Sequence, residues 1–272
     1  MNSLPNKLGI IAGNRSLPLV LAREARIAGV NYLVAAAFEK ETDPHLESLV
    51  DEMEWLRVGQ LSKLIKFFKK NDITQCVMAG QIAPKNLFDL RPDLRAIKLL
   101  SSLKEKNAHT IFSAIAEELN SEGITLIEGT PWLKPAMPGS GFRLGPEITK
   151  IQQADIDFGI GIAKGISKLD IGQSVVVKNG TTLAAEGFEG TDSCLIRGGE
   201  LAGPGGGAVA VKVAKEGHDL RFDIPCLGGK TLKVCAEAGI SVIAFEANRT
   251  LLLDGEEVEK LSKRDRISLV AF

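Results

Sequence analysis

The stretch LGIIAGNRSLPLVLAREARIAGVNYLVAAA, residues 8–37, decides the fold. It opens on a short apolar run, Leu8–Ala12, enters a turn at Gly13-Asn14-Arg15, and continues behind Ser16 as a helical pattern from Leu17 to Ala28. Gly29 stops that helix, and Val30–Ala37 is apolar at nearly every position, the mark of a strand covered on both faces. Strand, helix and strand in such close succession predict parallel pairing through a right-handed crossover, because antiparallel neighbours need only a tight turn.

The alternation continues on both sides of a break. Met53–Val58 reads as a strand, Leu61–Lys70 as an amphipathic helix with Leu61, Leu64, Ile65 and Phe68 on one side, and Gln75–Ala79 as a buried strand running into Gly80-Gln81. Helices over Asp93–Leu103 and Ala108–Asn120 and a strand over Ile124–Ile127 complete a small open α/β domain, residues 1–128. Gly129–Pro146 holds four glycines and four prolines, and the domain linker, residues 129–146, is placed there. Residues 147–272 are expected to form an α+β domain with a mixed sheet. Its predicted elements are a helix over Glu147–Ser167, a hairpin of Gln173–Lys178 and Thr181–Glu186 about Asn179-Gly180, and a helix over Thr231–Ala238. Further strands are expected at Ala208–Ala214, Leu220–Ile224, Ser241–Ala247 and Thr250–Asp254.

Composition narrows the function. Lys and Arg number 33 against 34 Asp and Glu, so no excess of positive charge is available to hold a nucleic-acid backbone. No apolar stretch is long enough to span a membrane, and the N-terminus lacks the pattern of a signal peptide, which makes the cytoplasm the expected compartment. The four cysteines form no C-x-x-C and there are three histidines, so a metal here would be a hard cation on oxygen ligands.

Three segments are candidates for chemistry. The turn after the first strand, with Ala12, Gly13 and Asn14, and the turn at Gly80-Gln81 share the carboxyl rim of the sheet, where open α/β sheets bind ligands. Each also reads as a plain βα turn, and the G-x-G-x-x-G dinucleotide fingerprint is absent. Glu186, Glu189 and Asp192, interleaved with glycine and followed by more of it (11 of the 28 glycines fall between Glu186 and Gly229), suit either a solvated loop or a site for a divalent cation and phosphate. In the third segment an extended Asp219–Ile224 would put Asp219, Arg221 and Asp223 on one face, as a surface ion-pair ladder or as a site framed by Gly203–Gly207 and Gly228-Gly229. Lys212 would reach an anionic substrate, and His218 falls with the apolar set. Neither a G-x-S-x-G nucleophile elbow nor a Walker A sequence occurs.

The ordered set Ile10-Ile-Ala-Gly13 with Leu17-Pro18, Asp170-Ile-Gly-Gln173-Ser-Val-Val-Val177, Glu189-Gly-Thr-Asp192 and Arg221-Phe-Asp-Ile-Pro225 resembles the bacterial UDP-2,3-diacylglucosamine pyrophosphatase family known as LpxI. The resemblance covers nearly the whole chain. It implies a Rossmann-like N-terminal domain, a distinct C-terminal catalytic domain, and hydrolysis of a lipid-linked UDP-sugar to UMP and 2,3-diacylglucosamine 1-phosphate. It also implies attack of water on the sugar-side phosphorus, a divalent cation such as Mg2+, a homodimer, and an essential aspartate at Asp223. On this reading Asp223, Asp219, Arg221, Lys212 and Lys215 carry catalysis, and Asp223, Asp192 and Glu189 hold the metal. Ala12, Gly13, Asn14, Gly80, Gln81, Gln173, Lys178 and Thr191 bind substrate. A lipid-linked substrate leaves peripheral contact with the inner membrane open, and Trp132, Leu133, Met137 and Phe142 are candidates for an acyl groove or for domain packing. The rivals are a non-catalytic UDP-sugar sensor and a nucleotide-sugar dehydrogenase or epimerase.

Overall fold

The computed structural model describes residues 4–82, 92–105, 108–214, 219–221 and 224–272, which fall into two compact units. In the first, β1 (Lys7–Ala12), α1 (Leu17–Ile27) and β2 (Tyr32–Phe38) fold as the opening stretch predicts. They are followed by β3 (Glu52–Leu56), α2 (Leu61–Lys70), β4 (Gln75–Ala79), α3 (Leu94–Ser102), α4 (Ala108–Ser121) and β5 (Thr125–Leu126). The five strands are all parallel in the order β3-β2-β1-β4-β5, so the chain reverses its direction of travel between β1 and β4. That reversal opens the crevice in which doubly wound sheets take their ligands.

Packing explains the apolar runs. Leu33 to Ala37 are wholly buried because both faces of β2 are covered. Leu64, Ile65 and Phe68 of α2 pack with Val34, Ala36 and Cys76 on one face. Burying each such large side chain is worth about 1.5–3 kcal/mol. Trp132 and Leu133, in the one-turn helix α5 (Thr130–Leu133), are each 1% exposed, and Met137 is buried too. Of the apolar residues read as an acyl groove or as packing, these three are therefore core, and the partly buried Phe142 packs its ring against Phe245.

The second unit holds β6 (Arg143–Leu144), α6 (Lys150–Lys168), β7 (Ser174–Lys178), β8 (Thr181–Ala185), α7 (Thr191–Ala202) and β9 (Ala208–Lys212). After these come β10 (Cys226–Leu227), α8 (Gly229–Glu237), β11 (Ile240–Phe245), β12 (Leu251–Leu252), α9 (Gly255–Asp265) and β13 (Ser268–Ala271). Its main sheet runs β6-β13-β11-β9-β7-β8, with β9, β11 and β13 parallel and the others antiparallel, the mixed sheet that was expected. Period two divides β7 and β9 between two layers. Val175, Val177, Val209 and Val211 face Ile156 and Ala163 of α6, while Val176, Ala208 and Ala210 face Leu195 of α7 and Leu232 of α8. The Asn179-Gly180 turn has both residues at positive φ, 50° and 70°, as a two-residue hairpin of the right twist requires.

Two expectations fail here. Leu220 and Arg221 form a turn that groups with the first unit and not a strand, and Phe222 and Asp223 of the expected strand lie outside the described residues. α7 lies in what reads as a glycine-rich loop. A Cβ at Gly198 would overlap Val176 and one at Gly199 would overlap the Ala238 carbonyl, so these glycines let a helix approach a sheet and a neighbouring helix, not a ligand. The terminal α9 and β13, for which the sequence pattern carries no expectation, complete the sheet's far side.

Candidate active site

In the first unit the two glycine turns meet. The N–H of Gly13 donates to Ala79 O and that of Asn14 to Gln81 O, both at 2.7 Å, and Asn14 and Gln81 form an isolated antiparallel bridge. A Cβ on Gly13 would strike Gln81 O, and one on Gly80, at φ 85°, would strike Asn14 O. The glycines are thus explained by each other. What stays open at this rim is a side chain: Asn14 donates through Nδ2 to Glu41 Oε2 at 2.7 Å, and its Oδ1 is buried with no partner. Ala12 lies beneath, its carbonyl accepting from Thr42 Oγ1 at 2.5 Å.

In the second unit the candidate residues gather at the carboxyl end of β9. Register pairs Ser174 with Lys212, and the N–H of Glu186 donates to Ser174 O, so the three side chains share the α7 face. Lys212 is 8% exposed, and its Nζ donates to Thr191 Oγ1 at 3.3 Å. Thr191 donates in turn to Glu186 Oε1 at 3.1 Å, and Ser174 Oγ lies 3.4 Å from the same threonine oxygen. Glu186, expected as one of three loop carboxylates, is 7% exposed, and its Oε2 has no partner. The N-terminus of α7 starts at Gly190 with no side-chain cap, and its unbonded N–H groups make the local field positive.

Within the second unit the structure separates Lys178 and Gln173 from this group. Lys178 sits at the far end of α7, about 18 Å of helix away, where its Nζ donates to Ala202 O at 2.8 Å. Gln173 alternates to the α6 side of the sheet, where its Oε1 is buried without a partner. Arg221 groups with the first unit, lining with Ser113, Glu117 and Asn120 a concavity of ≈ 440 Å³. Asp219 precedes the turn at Leu220-Arg221. Asp223 and Lys215 lie outside the described residues, as does His218.

Two of the three carboxylates expected to hold a cation, Glu189 and Asp192, are engaged with basic side chains. Glu189 accepts from Arg197 at 2.5 Å and from the Gly187 N–H at 3.1 Å, and the Arg197 hydrogen bond holds its pKa below the ordinary glutamate range. Asp192 pairs with Lys230 at 2.5 Å. Among the described residues no three His, Cys, Asp or Glu side chains gather as a metal site. Glu189 and Asp192 therefore do not fit a Mg2+ site in this arrangement. Burial pushes the thiols of Cys194 and Cys235 up to about 12, which leaves them inert as nucleophiles near neutrality.

Residues 7–135 match the family model for the LpxI N-terminal domain, and residues 140–270 the model for the LpxI C-terminal domain. The chain is 32% identical over 266 residues to the UDP-2,3-diacylglucosamine pyrophosphatase LpxI of Caulobacter vibrioides, covering 93% of this chain and 92% of that one. Among solved structures it is similar to the biotin carboxylase subunit of pyruvate carboxylase, with TM-score 0.29 and 15% identity over 68% of this chain and 37% of that one. A dCMP deaminase from cyanophage S-TIM5 aligns with TM-score 0.27 and 16% identity over 46% of this chain and the whole of that one. Superpositions that loose bear on neither fold nor function.

Proposed function

The chain belongs to the LpxI family, and from that premise we propose that it hydrolyses the pyrophosphate of UDP-2,3-diacylglucosamine to UMP and 2,3-diacylglucosamine 1-phosphate in lipid A synthesis. The observation that carries the reading is the match of both domains, in order, together with the likeness to a curated hydrolase along nearly its full length. In the proposed reaction the oxygen of water bonds to the sugar-side phosphorus. The bond from that phosphorus to the bridging oxygen breaks, and the bridging oxygen leaves with UMP. Such a step needs charge neutralisation and a positioned water more than a covalent catalyst.

Residues of this chain are assigned to those needs. Asp223 orients or deprotonates the water, with Asp219 beside it in sequence. Lys212, at the carboxyl end of β9, offsets charge on the phosphates, helped by Lys215 and Arg221. Asn14, Gly13, Gly80 and Gln81 receive the nucleotide, where the open Oδ1 of Asn14 offers an acceptor. A divalent cation belongs to the proposal without an assigned ligand set, since Glu189 and Asp192 are engaged elsewhere. A homodimer and peripheral membrane contact complete it. No helix among the described residues is long and apolar enough to cross a membrane.

The deciding experiment measures UMP release from UDP-2,3-diacylglucosamine with Mg2+ or with chelator, wild type beside Asp223→Ala, in water enriched in oxygen-18. Turnover by the wild type alone, lost on chelation, with label in the sugar phosphate, is the expected result. Label in UMP would move the attack to the other phosphorus. Binding of the UDP-sugar without any UMP release would favour a sensor.

A further inference from the structure

Among the described residues Glu186 is the enclosed carboxylate at the Lys212 cluster, and the proposed hydrolysis gives it no role. Its backbone is fixed twice: its N–H donates to Ser174 O at 2.8 Å, and Gly172 packs so closely against it that a Cβ there would overlap the Glu186 carbonyl. Its Oε1 accepts from the Thr191 hydroxyl. A hydroxyl has one proton to give. Once Thr191 spends it on Glu186, the threonine oxygen can only accept, and Lys212 Nζ and Ser174 Oγ are the two donors within reach. The polarity of the chain is thereby set, running from the Lys212 ammonium through Thr191 to Glu186.

An ammonium on a flexible four-carbon stem otherwise samples many positions. Lys212 is buried to 8% exposure, and among the described residues Thr191 Oγ1 is its hydrogen-bond acceptor and no carboxylate forms an ion pair with it, so its direction depends on that oxygen. We propose that Glu186 is a positioning residue for the hydrolytic reaction, fixing the Thr191 hydroxyl so that the Lys212 ammonium is aimed at the substrate's phosphates. The inference rests on the reading that Lys212 meets those phosphates. The enclosed Oε2 supplies negative charge in a medium of low dielectric, where it offsets the buried ammonium through the intervening threonine.

The test is steady-state kinetics of UMP release for Glu186→Ala, Glu186→Gln, Thr191→Val, Thr191→Ser and Lys212→Ala, with the double variant Glu186→Ala/Lys212→Ala. Glu186→Ala and Thr191→Val are expected to lower kcat about tenfold or more with KM little changed. Glu186→Gln, which keeps an acceptor for Thr191, and Thr191→Ser, which keeps the hydroxyl, are expected to recover most of it. In the Lys212→Ala background Glu186→Ala should cost nothing further, because the residue it acts through is gone. Thr191→Val is nearly isosteric and carries the test if Glu186→Ala fails to fold. Wild-type kcat in Thr191→Val, or losses that multiply in the double variant, would overturn the proposal. Wild-type kcat in Lys212→Ala would overturn it as well. Absence of UMP release by the wild type would instead strike the hydrolase reading on which it rests.

Discussion

The rim of the first sheet and the carboxyl end of β9 in the second present opposite solutions to the same problem. Both are places where strands end and backbone or side-chain polar groups need partners. At the first, Gly13-Asn14 and Gly80-Gln81 satisfy each other's backbone, and glycine is required because the two turns touch. At the second, the backbone is ordinary ladder, while the side chains of Lys212 and Glu186 are buried about the half-buried Thr191, and Glu186 Oε2 has hydrogen-bonding capacity left over. Close turns signal packing, and enclosed side-chain atoms with open valence, Asn14 Oδ1 at the first rim and Glu186 Oε2 at the second, signal chemistry. Glycine density alone does not separate the two cases.

Substitution should divide the rims along that line. Lys212→Ala is expected to lower kcat about 10²–10³-fold, the usual cost of removing a group that stabilises charge in the transition state. Thermal unfolding of that variant should stay near wild type. Gly80→Ala should do the reverse, destabilising the first unit by roughly 2–4 kcal/mol through a side chain at φ 85° and a clash with Asn14 O. Denaturant titration followed by Trp fluorescence measures it, since Trp55 and Trp132 both lie in that unit. If Gly80→Ala is stable yet inactive, the glycine meets the nucleotide directly instead of holding the turn that presents Asn14, and the contrast fails.

Most of the first unit was legible in the sequence because its signals are local. Continuous apolar runs such as Val30–Ala37 mean coverage on both faces, and Leu61, Leu64, Ile65 and Phe68 at helical spacing mean one buried stripe. α7 was hidden because Gly198 and Gly199 lower helix propensity, and the reason for them lies in Val176 and Ala238, distant in sequence. The site was half legible for a related reason. Lys212 and Thr191 were read as functional, but Glu186 passed for a loop carboxylate, since nothing in the order Glu-Gly-Phe-Glu announces that the first acid is enclosed and the second exposed. Lys178 was misplaced by proximity in sequence to Gln173, although a strand carries its two ends apart.

A smaller effect separates surface charge from the enclosed charge of the Glu186 cluster. Hydrogen bonds from Lys69 and then Arg95 hold the Glu122 carboxyl down at about 2, against an ordinary 4.5. A carboxyl depressed on folding stabilises the native state above its unfolded pKa, and that contribution fades as pH falls through the folded value. The first unit should therefore lose stability between about pH 4.5 and 2, and Glu122→Gln should flatten that limb of the curve. Salt should weaken the same contribution, since Lys69 is half-exposed. An acid limb unchanged in Glu122→Gln would show the network to be inert.

The smallest expected difference concerns motion. Cys76 in β4 and Cys194 in α7 are both fully buried, and burial pushes each thiol to about 12, so neither reacts with a disulfide reagent near pH 8 until something opens. Cys76 sits within a parallel sheet with β1 and β5 on its two sides, and its exposure requires breaking that ladder. Cys194 lies in the second turn of a helix whose N-cap is Gly190 without a side-chain bond and whose interior holds Gly198 and Gly199. Each interior glycine costs a helix about 1 kcal/mol relative to alanine, so α7 should open locally at a free energy below that of global unfolding. Labelling of Cys194 is expected to run several-fold faster than labelling of Cys76, and a ligand that engages Lys212 and the start of α7 should slow the first without changing the second. Equal rates for the two thiols, unaffected by UDP-sugar, would mean that α7 is as rigid as the first sheet and that the rims differ in chemistry alone.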